Sequence, residues 1–415
     1  MSKQWTGERR NRTVNPQLAP GMRLLRVAAL LSMLTVSAFA AEPAVTSRVN
    51  ANGITELRVA AEDGAVLAEY AVNLAEHHAP ATERTAAVAR WEEYRLGAFV
   101  CYNTNQFTGD ELCQAKDPKV YHPTDLDVDS WVNAMQAAGM RYAVLTTRHT
   151  SGFLLWDSVT TAHDVASSGD TTDVVRAFTE ACRAAGIAPG FYYCMWGGKW
   201  LEHANARNII LAQLYELAAN YGEIPYFWID MMNWAPEDLP AQEVYDLLRN
   251  LQPDAMVIMN QHIQDGTEIK YFPTDVMNGE IHLPPESGHD PAREVDGDTY
   301  YLPFEFEPVS QQREDAKSVA NTPLGRGTWF TYGAGREFPA SAPFPAAPLC
   351  AWIQQAYARG ASNVLLSMAP DHTGRMRAAD AAQLEALGAL LEAEAAAAGG
   401  FPRLPSTGRT KSPHR

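Results

Sequence analysis

The sequence predicts an α/β protein built as a (β/α)8-type TIM barrel in a single catalytic domain. Three observations carry this. From Trp91 onward, runs of five or six β-forming residues alternate with helical stretches of twelve or more, the signature of parallel βαβ units. Eight strand positions can be counted, some of them weak. No G-x-G-x-x-G turn follows the first strand, as an open dinucleotide-binding sheet would require.

The elements follow in order. "LGAFVCY" (96–102) reads as the first strand, and "DVDSWVNAMQAAGM" (127–140) as a helix closing on Gly139. "RYAVLTT" (141–147) is the second strand, "TTDVVRAFTEACRAAGI" (171–187) a helix, and "APGFYYC" (188–194) the third strand. "NARNIILAQLYELAANYG" (205–222) is a helix. The fourth strand, 226–229, lies in "PYFWIDMMNW", where apolar residues follow one another without polar alternation and end on Asp230. A helix near 239–251 and a strand "AMVIMN" (255–260) come next. The stretch 262–345 is irregular and rich in Pro, Gly and Asp, with weaker strands expected at 271–276 and in "GTWFTYG" (327–333). A helix (347–360), a strand "NVLLSMAP" (363–370) and an alanine-rich helix (377–397) complete the pattern. Asp157 and Asp173 read as turn or helix caps.

The expected organisation is a leader and signal peptide at 1–40, a lead-in with a hairpin at 41–94, the barrel at 95–397 and a disordered tail at 398–415. "MRLLRVAALLSMLTVSAFA", from Met22, has basic residues, a short apolar run and small residues at Ala38 and Ala40, which predicts export to the periplasm or medium with cleavage near Ala40. No cysteine follows Ala40, which argues against a lipid anchor, and no later segment is long and apolar enough to cross a membrane. Without residues 1–40 the chain keeps 27 basic and 48 acidic residues, a net of −21 with His neutral. That charge repels nucleic acid and anionic membranes, so neither is an expected partner. Five cysteines (101, 113, 182, 194, 350) form no CxxC and no zinc-like spacing, and read as small residues in or near the core.

In a βα barrel, functional groups gather at strand C-termini and the loops after them. Those positions hold Glu111 after strand one; His149, Phe153 and Trp156 after strand two; Tyr193, Trp196 and Trp200 after strand three; Asp230 and Trp234 after strand four; Asn260 and His262 after strand five. "TDVMNGE" then brings Asp275 and Glu280, and "YLPFEFEP" brings Glu305 and Glu307. Carboxylates facing Trp, Tyr and His suit carbohydrate cleavage. Aromatic faces stack on sugar C–H patches, His and Asn meet hydroxyls, and two acids flank the scissile bond. No G-x-S-x-G elbow, H-E-x-x-H pair or Walker lysine loop competes.

The runs "FVCYNTNQFTGDE", "YHPTDLDVDSWVNAMQAAGMRYAVLTTRHTSGFLLWDS", "DVVRAFTEACRAAGIAPGFYYC", "FWID" and "NVLLSMAPDHTGRM" together resemble the α-L-fucosidase family, glycoside hydrolase family 29, over about 95–390. The resemblance implies a βα barrel and a retaining mechanism through a covalent sugar–aspartate, on a fucosylated oligosaccharide or glycoconjugate and with no metal or cofactor. It puts the nucleophile on Asp230. It makes His149 a hydroxyl ligand, and Glu111 part of a loop that shapes the sugar site. Glu280, five residues after Asp275, and Glu305 are both candidates for the acid/base, with Glu280 preferred. Tyr193, Trp196 and Trp234 are further sugar contacts by position, and His262 is read chiefly as packing that could also meet the sugar.

The chain also departs from the family pattern. Cys101-Tyr102-Asn103 stands where members carry a histidine-containing turn, Thr150 replaces the second of two histidines, and Gln261-His262 replaces an arginine. Many members carry a β-sandwich after the barrel, and none is expected here. The alternatives are a barrel glycosidase of altered sugar specificity and a carbohydrate-binding protein that has lost catalysis.

Overall fold

The computed structural model describes residues 42–197, 205–262, 265–315 and 321–398. The expected signal peptide, Trp200 and the tail beyond Ala398 lie outside the described residues.

Three antiparallel strands, β1 (Ala44–Val49), β2 (Thr55–Ala60) and β3 (Val66–Val72), form a sheet where a hairpin was expected, and α1 (Ala86–Tyr94) leads into the barrel. The sheet has a partner. Tyr70 of β3 stacks on Tyr215 at 4.7 Å between ring centroids and donates its hydroxyl to Glu216 at 2.8 Å. Both partners belong to α5 (Ala206–Asn220). This explains why the α5 sequence shows no clear polar face. The helix is covered on both sides, so ten of its residues are buried.

The remaining elements are β4 (Leu96–Val100), α2 (Asn105–Thr108), α3 (Val128–Ala137), β5 (Tyr142–Arg148), α4 (Val174–Ala184), β6 (Ala188–Cys194), β7 (Tyr226–Asp230), α6 (Ala241–Leu251), β8 (Met256–Met259) and β9 (Met277–Asn278). A hairpin, β10 (Ala292–Val295) and β11 (Asp298–Tyr301), precedes β12 (Phe304–Phe306). A small antiparallel sheet joins β13 (Gln311–Gln312), β14 (Asn321–Thr322), β15 (Gly325–Thr328) and β16 (Ala342–Pro343). The chain then forms α7 (Ala346–Ala358), β17 (Ala361–Met368) and α8 (Ala378–Ala397). Among the described residues no helix is long and apolar enough to cross a membrane. Asp173 caps α4 as expected, accepting the Arg176 N–H at 2.8 Å.

Eight parallel strands run in the order β8-β7-β6-β5-β4-β17-β12-β9, a barrel of TIM type. Two strands differ from expectation. The seventh is β12, inside "YLPFEFEP"; its three residues are too few for a periodic signal. "GTWFTYG" instead supplies β15 to the small sheet. The sixth strand is the two-residue β9, displaced beyond 271–276. Between β8 and β9 the backbone ladder gives way to stitching. Asp275 N–H donates to the Val257 carbonyl at 2.8 Å, while the Asp275 carboxylate, Thr274 hydroxyl and Asn278 amide oxygen accept the N–H groups of Val257, Met259 and Gln261.

Strand alternation sorts side chains into two layers. Phe191, Tyr193, Phe227 and Ile229 pack outward against the helices. Phe99, Tyr142, Val144, Tyr192, Tyr226 and Trp228 fill the interior. Asp230 shares the parity of Tyr226 and Trp228, so it turns inward at the C-terminal end of β7. All five cysteines are buried and free.

Candidate active site

A cavity of about 290 Å3 opens at the C-terminal end of the strands. Among its walls are Phe99, Cys101, Glu111, His149, Tyr192, Trp228, Asp230, Asn260, His262, Glu280, Trp329 and Phe330. The volume lies at the lower end of the roughly 300–1,000 Å3 usual for small-molecule pockets, room for one sugar ring rather than several.

Asp230, the last residue of β7, is its centre. Its Oδ2 accepts the Tyr192 hydroxyl at 2.6 Å, and its Oδ1 accepts the Asn260 side-chain amide at 2.8 Å and the Met231 N–H at 2.7 Å. His262 Nε2 lies 3.2 Å from the same Oδ1. Burial pushes the Asp230 carboxyl up, but the His262 imidazole, the Tyr192 hydroxyl and the Asn260 amide outweigh it and hold the group below the ordinary carboxylate range. It is an anion made ready by donors.

Glu280 stands two residues beyond β9. The second Asn260 amide hydrogen reaches its Oε1 at 2.7 Å, and His262 Nδ1 lies 2.9 Å from that oxygen. Asn260 and His262 therefore each bridge one oxygen of Asp230 to one of Glu280. Asn260 is itself fixed, accepting the Asn278 amide at 2.9 Å from β9. Burial lowers the affinity of His262 for its proton, but the two carboxylates more than offset this and lift its pKa to about 10. Met231, His262 and Glu280 all have left-handed backbones, with φ of 58°, 50° and 52°. Such strain in non-glycine residues persists where surrounding contacts over-determine it.

Among the described residues, Asp230, His262 and Glu280 form the one group of His and acidic side chains whose ligand atoms all lie within 4.8 Å of one another. His262 Nδ1 faces Glu280 at 2.9 Å and Nε2 faces Asp230 at 3.2 Å, so a cationic ring stands between two acids and the set reads as an ion triad.

His149, the residue after β5, lines the cavity and stacks on Tyr192 at 5.7 Å. Burial lowers its pKa to about 4, so it meets a ligand as a neutral imidazole. Glu111 accepts the Thr328 hydroxyl and the Trp329 N–H, tying the loop after α2 to the segment that supplies Trp329 and Phe330.

Four expected site residues do not join the cavity wall. Tyr193 has outward parity. Its hydroxyl donates to Gln213 of α5 at 2.6 Å and its ring lies 4.9 Å from the buried Arg148 guanidinium, leaving the cavity position to Tyr192. Glu305 is fully buried and accepts the hydroxyls of Tyr142 at 2.6 Å and Tyr226 at 2.7 Å. Those tyrosines begin β5 and β7, and Tyr226 lies four residues below Asp230, roughly 13 Å along a strand. Glu305 therefore belongs to the barrel floor and cannot serve as the acid/base at the mouth. Trp196 and Trp234 stack on each other at 4.9 Å, with Trp234 46% exposed, as a pair outside the cavity lining. Thr150 turns its hydroxyl to the Cys113 carbonyl at 2.9 Å, and Cys101 does line the cavity. Tyr192 was legible in principle by counting parity across the β6–β7 pair, where Tyr192 opposes Trp228. Trp329 and Phe330 follow a strand outside the barrel and carried no such signal.

A parallel barrel with a bridged carboxylate pair in an aromatic-walled cavity defines the class of glycosidase-like barrels. The family model described as Alpha-L-fucosidase matches residues 77–287, and the chain belongs to that family. It is 31% identical over 181 residues to Alpha-L-fucosidase 1 of Arabidopsis thaliana, a match covering 40% of this chain and 35% of that protein. The chain thus spans about a third of the length of that relative. Among solved structures, Alpha-L-fucosidase isoenzyme 1 from Paenibacillus thiaminolyticus is similar with a TM-score of 0.57 and 22% identity, covering 77% of both chains. Alpha-L-fucosidase AlfC from Lactobacillus casei, in complex with alpha-L-fucose product, gives 0.53 and 19%, covering 75% of this chain and 99% of that one. These two likenesses speak to the fold.

Proposed function

We propose that the protein is an exported retaining glycoside hydrolase that releases terminal α-L-fucose through a covalent glycosyl-aspartate on Asp230, with Glu280 as general acid/base. One observation carries the reading: Asp230 and Glu280 offer oxygens within 4.8 Å of each other, bridged by one Asn260 amide. Retaining enzymes hold their carboxyl groups about 5–5.5 Å apart, whereas inverting ones leave about 6.5–9.5 Å for a water. Family membership, the printed names of the relatives and the one-ring cavity support fucose as the sugar. The apolar run before Ala40 supports export.

In the first half-reaction the anionic Asp230 attacks the anomeric carbon, the bond to the leaving oxygen breaks, and Glu280 protonates that oxygen. In the second, Glu280 takes a proton from water, whose oxygen displaces Asp230 from the sugar. His149, neutral, and the faces of Trp228, Trp329 and Phe99 hold the ring. A second reading, the same chemistry on a different α-linked sugar, draws on the Cys101 thiol in the cavity wall, where the family pattern has a histidine-containing turn.

Trapping with 2-deoxy-2-fluoro-α-L-fucosyl fluoride, followed by peptide mapping, tests the assignment. The label belongs on the 225–234 peptide, and a label elsewhere refutes Asp230. A parallel panel of aryl glycosides reads the sugar. Activity on the fucoside supports the first reading, and activity only on another α-glycoside supports the second.

A further inference from the structure

We propose that the proton delivered to the leaving group is stored on His262 in the resting protein and passes through Glu280, so that His262 is a proton-carrying member of the catalytic set. This rests on the reading above and deepens it. An arginine at this bridge would hold its proton at any working pH. Histidine can give its proton away.

The geometry suits a transfer. His262 Nδ1 lies 2.9 Å from Glu280 Oε1, and Nε2 3.2 Å from Asp230 Oδ1. The Asn260 side-chain amide, whose two hydrogens go to Asp230 and Glu280, lies 3.3 Å from Nδ1 and fixes the three groups against one another. The ring is 25% exposed and its backbone is held left-handed, so it is confined to this bridge. Other titratable groups face the bridge. Asp230 and Glu280 touch the ring, the Tyr192 hydroxyl supports Asp230, and His149 and Glu111 line the same cavity. Buried Glu307 lies behind Glu280 and donates its N–H to the Glu280 carbonyl at 3.1 Å. His262 carries the one positive charge among them.

The proton balance closes. At rest Asp230 and Glu280 are anions and His262 is an imidazolium. As Asp230 bonds to the anomeric carbon and the glycosidic bond breaks, Glu280 hands the leaving oxygen a proton and takes one from Nδ1. The covalent state then holds a neutral Asp230 ester, a neutral imidazole and an anionic Glu280. Water returns a proton to Glu280 and on to Nδ1, its oxygen bonds to the anomeric carbon, and the Asp230 bond breaks. The resting charges are restored.

The test is the pH profile of kcat/KM on phenyl α-L-fucoside, whose departure needs protonation. The full-length wild type should hold its activity to above pH 8, and an alkaline limb near the ordinary glutamic acid range overturns the proposal without any variant. His262→Gln should lose about tenfold at pH 5 and at least a hundredfold at pH 8, because the stored proton is gone. Loss by one common factor at every pH means that His262 only positions its neighbours, and overturns the store. His262→Arg keeps a charge but gives up no proton, so its alkaline limb should fall as well; a limb like the wild type's overturns the proposal. Trapping of the wild type separates the two levels. A labelled 225–234 peptide with an unmoved limb in His262→Gln sinks the store alone, while no label overturns it together with the glycosidase reading.

Discussion

Tyr192 donates its hydroxyl to Asp230 Oδ2 at 2.6 Å from the neighbouring barrel strand, while the next residue, Tyr193, donates to Gln213 outside the barrel. One step along a strand separates a site residue from a packing residue. A hydrogen bond to a charged group is worth about 1.5–3 kcal/mol, so Tyr192→Phe should lower kcat about ten- to a hundredfold. The hydroxyl favours the ionised carboxyl. Its removal raises the Asp230 pKa, and the acid limb of the pH profile should move to higher pH. Tyr193→Phe should change neither quantity, and steady-state kinetics across pH 4–8 check both.

Leaving-group chemistry separates the two glutamates. Glu280→Gln should lose most activity on oligosaccharides yet still form the covalent intermediate from nitrophenyl glycosides, which depart almost unaided. Azide attacks without a base, so it should restore turnover and give a glycosyl azide of retained configuration. Glu305→Gln keeps one acceptor oxygen on the barrel floor and offers its amide N–H to the other tyrosine hydroxyl, which can accept, so it should show neither effect. Azide rescue of Glu305→Gln in place of Glu280→Gln would reverse the assignment.

Trp196 and Trp234 stack outside the one-ring cavity, a placement suited to the sugar beyond the scissile bond. Stacking of this kind is worth about 0.5–1.5 kcal/mol, so Trp234→Ala should raise KM for a fucosylated oligosaccharide about two- to tenfold. KM for a small aryl fucoside should stay level. An equal rise for both substrates shows that the pair is structural.

Acid stability follows from His289, buried with its ring donating to the Leu302 carbonyl at 2.8 Å. Burial lowers its pKa to about 4. Between that value and about 6.5 the unfolded chain binds more protons than the folded one, so stability falls as pH falls. From pH 7 to 5 this one residue takes away up to about 2 kcal/mol. His262 acts in the opposite sense, stabilising below its unfolded pKa and losing that contribution as pH rises through about 10. In His289→Gln, which cannot titrate, the loss of Tm between pH 7 and 5 should be visibly smaller than in the wild type.

What could be read from the sequence was what periodicity carries. β4 to β8, β17 and their helices were legible because each is a long run with one clear pattern. Asp230 stood out as the lone acid closing such a run. Short elements were not legible: β9 and β12 hold two and three residues, and their sequence is indistinguishable from loop. That blind spot made Glu305 read as a mouth residue when strand parity and the two tyrosines hold it at the floor. It also concealed the ion triad, since His262 reads as packing until β8 and β9 are set side by side. The near all-round burial of α5 comes from β1–β3, which no local pattern announces.

The stitched boundary between β8 and β9 has a mechanical consequence. Every other adjacent pair in the cylinder is joined by a strand ladder, though between β9 and β12 it is only two residue pairs long. Between β8 and β9 one backbone bond and three side-chain acceptors do the joining. Asn260 and His262 hang from one lip of this boundary and Glu280 from the other, so the distance between nucleophile and acid depends on side-chain bonds rather than on a backbone ladder. Small changes at Thr274, Asp275 or Asn278, none of which lines the cavity, can therefore retune the gap across which the reaction runs while the rest of the cylinder stays as it is.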